Sequence, residues 1–430
     1  MMNVTFISLG CAKNLVDSEY ILGLLKQDKE IAVIDNIEKS DAIFINTCGF
    51  IQDAKKEAID MIFDVLSLKK EKAYLIVIGC LAKRYKEELY KEIPEIDLII
   101  GVDEYATIGE QLNHLFHLHF PKTYDPLKRS LSNPLPVAYL KIGEGCSNKC
   151  AYCAIPLIRG EYYSYPKEQI IEDAKRLISL GKKEIVIIAQ DPTRYGKDLY
   201  ENYGIEELID ELAKLDKNVY YRILYLYPDR ISDKLIHLFK IHFNIMPYFD
   251  IPIQHSSNKI LVAMKRSGTR EKYLEVISKI QKEIPSAILR TTLIVGFPGE
   301  DENDFEDLKN FIQQVRFDHL GVFPFSDEED TLAHDMKNKV PLKIAKQRAK
   351  EIMRIQKQIS LEKNKKRINE IHDVLIEDFD GNNYYGRSYL YAPDAEDGNF
   401  IIHSNQKLII GEYRKVKIKK VTAYDVKGEL

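Results

Sequence analysis

Cysteine is scarce in this chain, with six in 430 residues, and long apolar runs are absent. No stretch approaches the roughly 18 apolar residues of a membrane span, so no membrane association is expected. The start, Met1-Met2-Asn3-Val4-Thr5-Phe6, has no basic leader before its short apolar run. No signal peptide is therefore expected, and the predicted location is the cytoplasm. In that reducing compartment clustered cysteines are metal ligands or redox groups more often than disulfides. Nor is there an excess of positive charge: the formal net charge is -4, so no global field draws in nucleic acid, although local basic patches stay open.

What is present is unevenly placed. Cys146, Cys150 and Cys153 lie in one run, Gly145-Cys-Ser-Asn-Lys-Cys-Ala-Tyr-Cys-Ala-Ile-Pro, whereas Cys11, Cys48 and Cys80 are spread over the first eighty residues. Two trios point to two metal groups. The CxxxCxxC loop is followed by no further Cys, His or carboxylate-rich motif at metal-ligand spacing, and a closed structural zinc site would want a fourth ligand.

The length and a 45% hydrophobic content imply two or three domains. Val4 to Ser8, Ala42 to Asn46 and Tyr74 to Ile78 are short apolar runs, each followed by helical periodicity, which predicts a parallel α/β sheet domain over residues 1–120. Each scattered cysteine comes directly after one of these runs, with a glycine beside it. Ligands of an open α/β sheet gather beyond the carboxyl ends of its strands, so the three thiols can share one site; three unrelated buried thiols are the alternative. Three histidines, His114, His117 and His119, precede a linker at 121–136. They suit a surface or packing role better than a metal.

Six further strand and helix units, beginning at Val137, Glu184, Tyr220, Tyr248, Ile288 and His319, predict an open, partial TIM-like barrel over 137–340. The CxxxCxxC loop follows its first strand, at the end where barrels place their chemistry. Pro341 opens a connecting helix over 341–367. Residues 368–430 change to short strand-like runs, among them Val374 to Glu377, Tyr384 to Ser388, Phe400 to Ile402, Lys407 to Ile410 and Tyr413 to Val421, and predict a small antiparallel, OB-like β-barrel. From Glu370 onward eleven acidic residues face eight basic ones, so this module is not biased toward a polyphosphate.

Three thiolates around a cubane 4Fe-4S cluster leave one iron open, and such a cluster can deliver one electron to a ligand on that iron. The CxxxCxxC spacing with Tyr152 before the last cysteine resembles the signature of radical S-adenosylmethionine (SAM) enzymes. Ser8-Leu9-Gly10-Cys11-Ala12-Lys13-Asn14, Asn46-Thr47-Cys48-Gly49-Phe50 and Gly79-Cys80-Leu81 resemble the three N-terminal motifs of the radical SAM methylthiotransferases. Glu144 to Gly160, Asp250 to Ser257, Gly296-Phe297-Pro298-Gly299-Glu300 and a terminal barrel that resembles a TRAM domain extend the likeness over essentially the whole chain. The first motif, with Gly386-Arg387-Ser388 and Ala392-Pro393-Asp394, is similar to the branch that acts on ribosomal protein S-twelve rather than on tRNA.

The resemblance implies two 4Fe-4S clusters, one on Cys146, Cys150 and Cys153 that cleaves SAM to an adenosyl radical, the other on Cys11, Cys48 and Cys80 that carries the sulfur. Two SAM molecules per turnover, one of them the methyl donor, would place a methylthio group on the β-carbon of an aspartyl residue of ribosomal protein S-twelve on the small subunit. The implied partners are a low-potential one-electron donor such as flavodoxin or ferredoxin, and a sulfide source. A tRNA methylthiotransferase, or a non-catalytic RNA-binding or zinc protein, is the rival reading. Tyr152, Gln190, Arg222 and Gly296 are the candidate cofactor contacts. Each has a plainer role: Tyr152 can shield a cluster, Arg222 can be a buried pair, and Gly296 can serve an ordinary turn. Asp191 shares the strand end of Gln190, and His255 can be polar lining.

Overall fold

The computed structural model describes residues 1–132, 136–393 and 397–430. Asp394 of the Ala392-Pro393-Asp394 motif lies outside them.

The first unit is a five-stranded parallel sheet in the order Ile31–Val33, Met2–Ser8, Ala42–Thr47, Tyr74–Gly79, Leu98–Gly101. Its two central strands are apolar along nearly their whole length because both faces are covered. Val4, Phe44, Ile76 and Ile78 pack under the helices Ala12–Leu25 and Ile108–Phe116, while Ile43, Ile45, Leu75 and Val77 pack under Gln52–Leu68. The strand order reverses on either side of Met2–Ser8, which opens a crevice at the carboxyl ends. Cys11, Cys48 and Cys80 stand there. The edge strands Ile31–Val33 and Leu98–Gly101 add to the three foreseen. His114, His117 and His119 are exposed at the end of the Ile108–Phe116 helix and just beyond it.

The second unit has six parallel strands, Val137–Lys141, Glu184–Ile188, Tyr220–Ile223, Tyr248–Asp250, Ile288–Val295 and His319–Pro324. Two three-stranded sheets are joined by a parallel bridge between Tyr221 and Ile245, giving an open barrel. Alternation along the strands sends Ile185, Ile187, Tyr221 and Phe249 outward to the helices. Val186, Ile188, Leu224 and Tyr248 face a second core shared with Val16 and Tyr20 of the Ala12–Leu25 helix. The helix of the first domain thus packs on the inner face of the barrel. The segment expected to connect domains is the helix Leu342–Lys366, and it also covers the last barrel strand, with Ile352 and Ile359 in the outer core and Gln356 Nε2 donating to Phe317 O at 2.9 Å.

The third unit is a closed five-stranded barrel in the order Ile371–Phe379, Tyr384–Arg387, Phe400–Ile402, Val426–Glu429, Tyr413–Val421. Lys407–Ile410 is not one of its strands: Leu408 is buried, but Ile409 and Ile410 are exposed. The fifth strand is Val426–Glu429, whose alternation of buried Val426 and Gly428 with exposed Lys427 and Glu429 is too short and polar to stand out in sequence. It runs parallel to Phe400–Ile402, while the other pairs are antiparallel.

Charge joins this barrel to the central one. Glu184 accepts from Arg222 Nε at 2.7 Å and from Arg387 Nη2 at 3.0 Å, and Arg387 is also held by Glu377 at 2.6 Å. Glu184, Arg222 and Arg387 are buried. Removing one partner of a buried ion cluster strands the others without solvent, at about 3–5 kcal/mol. Glu184→Ala is therefore expected to lower the stability of the protein by about that amount in urea unfolding, with Glu184→Gln losing less.

Candidate functional site

The first trio is assembled by the side chains between its cysteines. Leu9 N–H donates to Asn46 O at 2.8 Å and turns the chain at Gly10, whose φ is +86°. A Cβ added there would lie 2.8 Å from Cys48 Cβ, so only glycine lets these two loops touch. Asn14 Nδ2 donates to Leu9 O at 3.2 Å and Thr47 O at 3.1 Å, and its Oδ1 lies 3.5 Å from Cys80 Sγ. Asn46 Nδ2 returns to Asn14 O at 2.8 Å. Cys11 caps the Ala12–Leu25 helix and is exposed, Cys48 is half-buried, and Cys80 is buried.

The second trio follows the strand Val137–Lys141. Gly145, at φ +73°, brings the loop against Glu161 O, where a Cβ would sit 2.2 Å away. Cys146 N–H donates to Gly160 O at 3.0 Å, and Ala151 N–H to Met264 O at 3.0 Å. Asn148 Nδ2 donates to Cys146 Sγ at 3.4 Å and to Asp191 Oδ2 at 2.8 Å, while Arg230 Nη2 holds its Oδ1 at 2.7 Å. Arg266 lies 4.0 Å from Cys150 Sγ through Nη1 and stacks on Tyr227 at 4.0 Å.

A buried polar network joins the two sets. Arg159 Nη1 donates to Glu144 Oε2 at 2.7 Å, and Nη2 donates to Asn14 Oδ1 at 2.6 Å, to Asp17 Oδ2 at 3.0 Å and to Cys80 Sγ at 3.5 Å. Lys141 pairs with Asp17 at 2.6 Å and with Glu144. Burial works against a charged Glu144, but Arg159 and Lys141 outweigh it and bring its pKa down to about 2. A second tie crosses outside. Arg84 Nη1 donates to Gly49 O and to Glu328 Oε2, both at 2.9 Å, and the segment carrying Glu328 runs on to Ala333, whose N–H donates to Ala151 O at 2.8 Å. One loop therefore touches both cysteine loops.

Burial pushes Cys48 up to about 12 and raises Cys80, Cys146 and Cys153. Desolvation by the surrounding chain would raise Cys11 too, although its side chain keeps an exposed face, yet Lys13 and Arg159 bring it below the ordinary thiol value. All six cysteines are free. Among the described residues no group of three His, Cys, Asp or Glu side chains could hold a single metal ion. Three soft thiols in each set fit a 4Fe-4S group, whose thiolates stand on separate irons.

Beside the first trio lies a cavity of about 350 Å³ with walls from all three domains: Gly10, Cys11 and Leu15 from the first, Tyr139, Tyr225, Asp250 and Arg290 from the barrel, and Ala392 and Pro393 from the third.

Comparison with known proteins agrees with this layout. The Radical SAM superfamily model matches residues 140–312, the uncharacterized protein family UPF0004 residues 3–101, and the TRAM domain residues 368–430. A ribosomal protein uS12 methylthiotransferase RimO of Clostridioides difficile (strain 630) is 46% identical over 443 aligned positions that cover 100% of this chain and 99% of that one. The protein of the same description from Caldanaerobacter subterraneus subsp. tengcongensis is also 46% identical, with 100% of both chains covered. The chain belongs to the RimO family.

A solved radical SAM methyltransferase, TsrM from Kitasatospora setae, shares the fold at a TM-score of 0.57 with 11% identity, over 75% of this chain and 73% of that one.

Within this RimO-family site the expected contacts fall in different places. Tyr152 packs beside Ala151, Ile260, Met264 and Phe297, next to Cys153. Gln190 Nε2 donates to Glu144 Oε1 at 2.5 Å and so joins the network. Asp191 anchors the second cysteine loop through Asn148. Arg222 is a correction: its donors are taken by Glu184 and by the Ser388 and Tyr389 carbonyls of the third domain, which places it at the domain interface. At Gly296 a Cβ would meet Ala345 Cβ at 2.3 Å, so this glycine serves the approach of the Leu342–Lys366 helix. His255 accepts from Ser257 N–H at 3.0 Å through Nδ1, and burial lowers its pKa to about 3. Sequence reading passed over Arg159, Asn14, Asp17, Lys141 and Arg266, although Asn14 and Arg159 lie inside the motifs it used.

Two outcomes follow. Arg159→Met is expected to cost about 3–5 kcal/mol in chemical denaturation, because Asp17 and Glu144 keep only Lys141 for their charge, and Arg159→Lys is expected to recover part of it. His255 stays neutral in the folded chain while it protonates in the unfolded one, so the unfolded state binds more protons between the ordinary histidine value and about 3. Stability should thus fall by about 1.4 kcal/mol per pH unit on acidification through that window, and His255→Asn should flatten the slope in urea titrations run at stepped pH.

Proposed function

We propose that this chain places a methylthio group on the β-carbon of one aspartyl residue of ribosomal protein S-twelve, acting in the cytoplasm on the small ribosomal subunit. The observation that carries the reading is the end-to-end likeness to relatives described as uS12 methylthiotransferases. The two thiol trios, joined by one buried network, support it.

Cys146, Cys150 and Cys153 would hold the 4Fe-4S group at which SAM binds, and Cys11, Cys48 and Cys80 the auxiliary one. When bound, these groups supply the electron for reductive cleavage of SAM and the carrier for the sulfur that is transferred. The protein's part is positional and electrostatic. Arg159 and Asn14 fix the Cys80 loop relative to Glu144, which directly precedes the second cysteine loop. Asn148 orients Cys146, and Arg266 places a guanidinium beside Cys150. The cavity at Cys11 has walls from three domains, so a target side chain entering it leaves bulk water behind. A low-potential one-electron donor such as flavodoxin or ferredoxin and a sulfide source complete the turnover. The acidic balance of residues 370–430 suits a basic ribosomal protein better than a polyphosphate.

The test is anaerobic incubation of the reconstituted protein with SAM, a reductant and either small ribosomal subunits or bulk tRNA. A methylthio mass gain in ribosomal protein S-twelve is expected, and it should vanish when either trio is replaced by alanine. A gain confined to tRNA would overturn the assignment.

A further inference from the structure

Lys13 is a buried cation with no carboxylate partner among the described residues, and the group that feels its charge is Cys11. Its side chain follows Cys11 by two residues on the Ala12–Leu25 helix, is 9% exposed, and has no ion-pair partner among the described residues. Its Nζ rests 3.4 Å from the centroid of the Tyr225 ring. Such a cation–π contact offsets only part of the cost of taking an ammonium out of water. The cation of the cavity wall, Arg290, and the two cations of the buried network are occupied. Arg290 is paired with Asp250 at 2.9 Å and with Asp397 at 3.4 Å, Lys141 with Asp17 and Glu144, and Arg159 with Glu144 and Asp17.

The ring beneath Lys13 is itself held against its preference. Tyr225 has φ +67°, a left-handed conformation that is strained for a tyrosine. Its N–H donates to Asp250 Oδ2 at 3.0 Å, and Arg290 fixes Asp250. Tyr225, Asp250 and Arg290 line the cavity that opens at Cys11. A strained aromatic locked by an ion pair lines a concave space shared by three domains, and the ammonium of Lys13, which has no carboxylate partner, lies against its ring.

We propose that Lys13 receives the carboxylate of the target residue and seats it against Tyr225 beside Cys11. This deepens the function proposed above and rests on its aspartyl target. The reacting β-carbon is bonded directly to the carboxylate carbon, so anchoring the carboxylate fixes the reacting carbon to within one bond. An amide in the same place has no charge to offer and leaves the ammonium unpaired, so Lys13 makes the site selective for aspartate over asparagine.

The experiment is a cycle on the full-length protein reconstituted with both clusters. Wild type and Lys13→Met are each titrated with ribosomal protein S-twelve and with S-twelve whose target aspartate is replaced by asparagine. Wild type is expected to bind the aspartate form at least about tenfold more tightly, Lys13→Met to bind the two alike, and Lys13→Arg to restore part of the preference. Iron and acid-labile sulfide equal to wild type would keep the effect in the substrate. Lys13→Met that retains the tenfold preference, wild type that has none, or loss of iron and sulfide on mutation would each overturn the proposal. Failure of the underlying function reads out separately, as wild type that cleaves SAM yet adds no methylthio mass to S-twelve.

Discussion

The guanidinium of Arg159 is the contact on which the architecture of the site depends. It comes from the barrel, yet three of its four acceptors, Asn14, Asp17 and Cys80, belong to the first domain, and the fourth, Glu144, immediately precedes the loop of the second trio. Two acids and two bases are buried together there, a number that balances the charge without water. A planar, permanently charged group with several fixed donors reaches acceptors of both domains in set directions, and the Lys141 ammonium adds a second link between Asp17 and Glu144. The relative position of the two thiol sets thereby depends on this buried network, together with the outer tie through Arg84 and Glu328.

Around that centre the domains are fastened by polar clusters rather than by apolar area alone. Glu184 with Arg222 and Arg387 ties the third domain to the barrel, and Glu328 with Lys55 and Arg84 ties the first domain to the loop after the last barrel strand. Each cluster is directional, so it sets an angle as well as an attraction. The cavity at Cys11 exists because three domains meet at set angles.

The chemistry-bearing cysteines were legible because their type and spacing admit few roles, and the strand ends that carry them follow from apolar runs punctuated by glycine. Contacts between domains were not. Arg222 reads as a strand residue near a site, and nothing local to it says that a glutamate 38 positions earlier and two carbonyls of the last domain take its donors. Gly296 has the composition of a ligand-approach turn, but what approaches is Ala345. In the third domain the apolar run Lys407–Ile410 outranks Val426–Glu429 by hydrophobicity, whereas pairing to two neighbours decides which one is a strand. Lys13 stood in plain view inside a motif, and only the ring of Tyr225, more than two hundred residues away, gives it meaning.

The order of synthesis adds a consequence. Cys11, Cys48 and Cys80 all leave the ribosome before Arg159 does, and domains fold from the N-terminus as they emerge. The nascent first domain therefore displays three gathered thiols with no guanidinium beside them and with the apolar residues Val16 and Tyr20 of its first helix still uncovered. Until the first strand and helix of the barrel are made, this is an oxidisable, sticky intermediate. The interval opens once the helix Ile108–Phe116 has closed the first domain and ends when Arg159 emerges, and over it the gathered thiols need a reducing surrounding.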